Sequence, residues 1–109
     1  MTRKTPEGRF KAEFTRDLED LYPGCVILKN DEQLFQGIPD MLFLYEDFWA
    51  MFEVKKDAAA ARQPNQAYYI EKFDKMSFAA FVYPENKEDV LHDLQQSLQS
   101  RGTARLPKR

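Results

Sequence analysis

The chain has 109 residues, 43% hydrophobic and 14% aromatic, with 16 basic against 18 acidic side chains; that suits one small domain with a modest core and excludes global disorder. No apolar run approaches the roughly 18–20 residues of a membrane span, and the single cysteine, Cys25, excludes an internal disulfide or a multi-thiolate metal site. The single histidine, His92, argues against chemistry built on several imidazoles, so a metal would be held by oxygen, which favours Mg²⁺ or Mn²⁺ over Zn²⁺.

Met1-Thr-Arg-Lys-Thr-Pro6 lacks the apolar stretch of a secretory leader, and the expectation is an intracellular, cytoplasmic protein. Arg3, Lys4, Arg9, Lys11 and Arg16 outweigh Glu7 and Glu13, and Arg101, Arg105, Lys108 and Arg109 have no acidic neighbour after position 100. The middle is therefore strongly acidic. Basic ends on an acidic body are either phosphate-binding arms or ordinary solvated tails.

Pro6 opens a predicted helix over about Glu7 to Tyr22, in which Phe10, Phe14, Leu18 and Leu21 form one apolar stripe. Pro23-Gly24 ends it, and Cys25-Val-Ile-Leu28 reads as a short buried strand. A polar loop, Lys29 to Gln33, precedes Gly37-Ile-Pro39. Met41 to Tyr45 and Phe48 to Phe52 are apolar runs joined by Glu46-Asp47, a hairpin pattern. Gln63-Pro64 opens a second helix with Gln66, Tyr69, Ile70, Phe73 and Met76 on one face. Phe78 to Tyr83 is a strand, and Pro84-Glu-Asn86 leads into a third helix with Val90, Leu91, Leu94 and Leu98 inward. Residues 1–100 form one domain, and 101–109 are expected to be a loose basic tail. The order α-β-β-β-α-β-α predicts an α/β fold with a mixed central sheet flanked by helices.

A two-residue turn at Glu46-Asp47 pairs Tyr45 with Phe48 and, carried along the strands, Asp40 with Glu53. Their Cβ atoms would be roughly 4.5–5.5 Å apart. Lys55 shares the face of Glu53, and Val54 points to the other. Two adjacent carboxylates repel and raise each other's pKa unless a cation intervenes. A divalent metal resolves that conflict and suits phosphodiester hydrolysis, with the lysine stabilising developing negative charge. The same residues could instead form a plain cross-strand salt bridge, and Glu85-Asn-Lys87 repeats the Glu-x-Lys spacing in a loop. Gln66, on an apolar helix face, needs a polar partner, either in the site or among free backbone groups at the helix start.

Gly37-Ile-Pro-Asp40, Glu53-Val-Lys55 and Gln66 together resemble the PD-(D/E)XK nuclease superfamily, and most closely its small phage-type VRR-Nuc branch. The resemblance spans about residues 7–95 and implies a restriction-endonuclease-like αβββαβ core. It implies that Asp40, Glu53 and the Val54 carbonyl ligate Mg²⁺ or Mn²⁺, that Lys55 is the motif lysine, and that Gln66 projects into the site. A glutamate from the first helix often joins such sites. Glu7 is preferred for its place in the apolar stripe, with Glu13 and Asp17 as alternatives. The same likeness implies a homodimeric endonuclease cutting branched DNA such as Holliday junctions, with no organic cofactor and no membrane association. A non-catalytic DNA-binding module that keeps the fold is the rival class, and a structural subunit of a larger complex is a third. Lys29, Asn30 and Lys56 are candidate DNA contacts. Cys25 reads as core, His92 as surface, and Trp49, Tyr68, Tyr69 and Phe73 as core or dimer surface.

Overall fold

Thr5 starts the first helix: its hydroxyl accepts a hydrogen bond from the Gly8 amide at 3.0 Å, satisfying a backbone donor that the helix itself leaves free. The computed structural model describes residues 5–105, with side chains described through Ser100. Helix α1 runs Pro6–Leu21 and buries Phe10, Phe14 and Leu18. Leu21, the fourth member of the predicted stripe, is exposed at the helix's last position. Gly24, with φ +92°, makes the turn that follows.

Strand β1 (Val26–Lys29) pairs antiparallel with β2 (Met41–Tyr45), and β2 pairs antiparallel with β3 (Phe48–Val54). The register runs from Tyr45 opposite Phe48 to Met41 opposite Phe52, as a two-residue turn requires. Glu46 takes a left-handed φ of 57° there. Strand β3 continues beyond the apolar run through Glu53 and Val54, because it gains a second neighbour in β4 (Ala79–Val82), to which it runs parallel. Helix α2 (Pro64–Met76) makes that crossover. A 3₁₀ turn over Pro84–Asn86 leads into α3 (Lys87–Arg105). The sheet order is β1-β2-β3-β4, so the protein is an α/β fold with a four-stranded mixed sheet and three helices. Among the described residues, no helix is long and apolar enough to cross a membrane.

The main core lies between the sheet and helices α1 and α3. Phe14 meets Phe52 edge-on at 5.0 Å between ring centroids, and Phe43, Ala50, Val54, Val82, Val90 and Leu94 close around them. The opposite face is much less covered. Trp49 contacts Phe73 of α2, and the register places Val26, Leu44 and Trp49 in one row and Leu28, Leu42 and Met51 in the next. Val26 and Leu28 are about half exposed. The buried strand expected at 25–28 is therefore a half-open edge: Cys25 and Ile27 pack against the core on the α1 side, while Val26 and Leu28 face solvent on the other. Met76 is likewise exposed rather than inward: α2 leans on β3 and β4, and its last turn lies outside the packing. Helical backbone also continues through Arg101–Arg105, past the end of the apolar pattern, because intrahelical hydrogen bonds need no buried face.

Gly37 holds the β1–β2 connection against the start of α2. Its φ is +89°, and a Cβ there would lie 2.4 Å from the Cβ of Asn65. Gly24 also has positive φ but open space around the same position. Gly24→Ala should cost about 1 kcal/mol, the conformational term alone, and Gly37→Ala roughly 2–4 kcal/mol, because backbone must also separate. Urea denaturation of the two variants tests this, and equal losses would show that the Asn65 contact relaxes freely.

Candidate active site

Asp40 and Glu53 meet at the end of the β2–β3 ladder, just beyond the last paired residues, Met41 and Phe52. The Asp40 amide donates to Glu53 Oε1 at 3.2 Å, and the Val54 amide donates to Asp40 Oδ1 at 3.3 Å. The two strands thus exchange side-chain hydrogen bonds where the backbone ladder stops. Asp40 is 8% exposed, Glu53 5% and Gln66 8%, and these are the polar residues that enter the core among those described.

Gln66 organises the next layer. Its Nε2 donates to Glu53 Oε2 at 3.0 Å, while its Oε1 accepts from Lys55 Nζ at 3.0 Å and from the Gln63 amide at 3.1 Å. The amide orientation is forced, because reversing it would set NH₂ against an ammonium and a backbone N–H. Both sequence explanations for Gln66 therefore hold together: it serves the start of α2 and it reaches the carboxylate cluster. Lys55 Nζ also lies 3.7 Å from Glu53 Oε2. The Lys55 amide donates to Val82 O at 2.9 Å, so the β3–β4 alignment fixes the lysine's backbone.

Asp40 has a partner that the sequence did not flag. Lys11 Nζ lies 2.5 Å from Asp40 Oδ2. Lys11 is one helical turn beyond Glu7 and shares its side of α1, so the helical spacing could have found it. Glu7 is half-buried in the first turn, and Lys11 is the α1 side chain found on Asp40. Glu13 and Asp17 are both held by Lys87, each at 2.8 Å, in a bridge between α1 and α3. Asn30 donates its side-chain amide to Pro39 O at 2.8 Å and its backbone amide to Asp40 O at 3.0 Å, which makes it a brace for the Asp40 segment. Lys29 and Lys56 are exposed, as is His92, and Cys25 is half-buried. Arg3, Lys4 and the basic side chains after position 100 lie outside the described residues.

Clefts open on both sides of the cluster. One of about 280 Å³ is lined by Glu32, Gln36, Gly37, Gln63, Asn65 and Gln66. Another of about 170 Å³ runs past Lys11, Thr15, Lys29 and Asp40. Comparisons with models of known protein families, with curated proteins and with solved structures give no match to this chain. The site's chemistry therefore rests on its own geometry.

Asp40 and Glu53 are the side chains that could hold a cation here, and in the metal-free cluster each of their four oxygens faces a protein donor or ammonium. Two carboxylates converge in a buried place, and no group of three or more His, Cys, Asp or Glu side chains forms a metal cage among the described residues. Two carboxylates alone do not enclose an ion, so a cation held by them would have to keep several of its waters. Burial, followed by the charge of Asp40, pushes Glu53 up to about 7 from 4.5, while Lys55 and the Asp40 amide pull it down and Glu32 adds to the rise. A carboxyl with a raised folded-state pKa holds its proton in the native protein after the unfolded chain has lost it. Its contribution to stability is therefore complete below about 4.5 and is lost as pH rises through about 7. Thermal melting in EDTA should show falling stability across that window, and Glu53→Gln should flatten the slope. A slope unchanged by the substitution would assign the effect to another group.

Proposed function

We propose that this chain is a Mg²⁺- or Mn²⁺-dependent endonuclease that hydrolyses phosphodiester bonds in DNA. In this reading it has the restriction-endonuclease-like core of the PD-(D/E)XK superfamily and belongs with the small phage-type VRR-Nuc domains. The observation that carries the proposal is the joining of Asp40, Glu53, Lys55 and Gln66 into one buried hydrogen-bonded cluster at a sheet end flanked by clefts. The order of helix, three antiparallel strands, crossover helix and parallel strand supports it.

Asp40, Glu53 and the Val54 carbonyl would hold the metal; Glu7, the acid expected from α1, does not join them in a group of three, and α1 contributes Lys11 instead. When bound, the cation supplies Lewis acidity to a phosphoryl oxygen and acidifies a water ligand. Gln66 fixes the direction of Glu53 and keeps Lys55 Nζ beside it. From there the ammonium can stabilise negative charge developing on the phosphate. The exposed Val26 and Leu28, with half-buried Leu44 and Leu42 beside them on the same face, support a homodimer, and two-fold symmetry suits branched DNA with paired strands, such as a Holliday junction.

One observation favours a non-catalytic DNA-binding module. Asp40 and Glu53 each already face a lysine, so the cluster is electrically closed without a metal. Cleavage of labelled four-way junction, flap, duplex and single-stranded DNA in Mg²⁺, Mn²⁺ or EDTA separates the two. The nuclease reading expects metal-dependent cutting that Asp40→Asn and Lys55→Ala each reduce by roughly a hundredfold or more. Binding without cleavage of any of these DNAs in either metal would establish the module instead.

A further inference from the structure

We propose that Lys11 is a built-in, displaceable cation, which occupies the Asp40 oxygen that a divalent metal would take and leaves it when the metal binds. The inference rests on the metal-site reading above and adds a residue to it. Asp40 Oδ1 is engaged by the Val54 amide, which leaves Oδ2 as the oxygen turned toward a cation, and Lys11 Nζ lies on it at 2.5 Å. An ammonium there relieves the repulsion between two buried carboxylates that would otherwise stand side by side.

The two lysines of the cluster differ in how they are held. Lys55 is 12% exposed and is fixed by Gln66 Oε1 at 3.0 Å. Lys11 is 31% exposed and reaches in from the surface of α1, so its flexible stem can withdraw without unpacking the core. The cleft of about 170 Å³ adjoining Asp40, lined by Lys11 and Thr15 of α1 with Ile27, Leu28, Lys29 and Met41 of the strands, is open enough for the side chain to swing outward to solvent. Metal binding then exchanges one cation for another at Asp40 and frees a positive side chain at the mouth of the site.

The test is Mn²⁺ affinity of the DNA-free protein by isothermal titration calorimetry, for wild type, Lys11→Met and Lys11→Arg. Methionine keeps most of the apolar stem and removes the competing charge. Mn²⁺ should bind Lys11→Met about tenfold more tightly than wild type, while its metal-free melting temperature falls by roughly 4 °C. Lys11→Arg should keep the weaker, wild-type-like affinity. If Lys11→Met does not fold, Lys11→Gln carries the same comparison. Unchanged or weaker Mn²⁺ binding in the charge-free variant would overturn the inference while leaving the metal site standing. Absence of Mn²⁺ binding in wild type and in the charge-free variant alike would remove the metal site, and this inference with it.

Discussion

Two carboxylates buried side by side are the constraint around which this protein is arranged. A carboxylate taken out of water is costly unless its oxygens find donors or cations, and Asp40 and Glu53 each bring that demand to the same sheet end. The answers come from every direction. Strand β3 supplies the Val54 amide, the Asp40 backbone supplies its own N–H, α2 supplies Gln66, and α1 supplies Lys11. Each element that reaches the site is thereby tied to the others by polar contacts, and α1 and the strands share the aromatic core as well.

Strand β3 mediates between those two kinds of packing. Its even-numbered residues, Phe48, Ala50, Phe52 and Val54, are buried in the core, while Trp49 and Glu53 alternate with them and meet Phe73 and Gln66 of α2. Because the side-chain period of a strand is two, the burial of Phe52 and Val54 dictates the face on which Glu53 emerges. A slip of one residue would put the carboxylate in the aromatic core. The hydrophobic pattern thus sets the position of the chemistry.

Sequence reasoning reached the parts governed by short-range rules. The hairpin register followed from a two-residue turn and two apolar runs, and it brought Asp40 to Glu53. The crossover helix and final strand followed from Gln63-Pro64 and from the apolar run after Ser77. What escaped it depended on which surfaces come to face each other. Periodicity marks Cys25–Leu28 as apolar but does not say that the strand lies at a sheet edge, and it marks Met76 as part of a stripe without saying where α2 leaves the sheet. The partners of Lys11 and Lys87 are similar cases. Lys87 lies 74 residues from Glu13 in the chain, and no local pattern links them. Lys11 meets Asp40 only because α1 crosses that end of the sheet.

Helix α2 buries a single residue, and that residue is Gln66. Tyr69, Ile70 and Phe73 are half-covered, while Tyr68 and Met76 are open to solvent. A helix with so little enclosed apolar surface gains little from tertiary packing, and local opening then requires much less free energy than global unfolding. Its backbone amides should therefore exchange with solvent well ahead of those of β3. Each such opening would withdraw Gln66 from Glu53 and Lys55 while the two strand-borne groups stay in register. The cluster thus joins one half fixed in the sheet to another carried on a helix with little buried apolar surface. Access to Glu53 from the α2 side would then follow local opening of that helix rather than unfolding of the sheet.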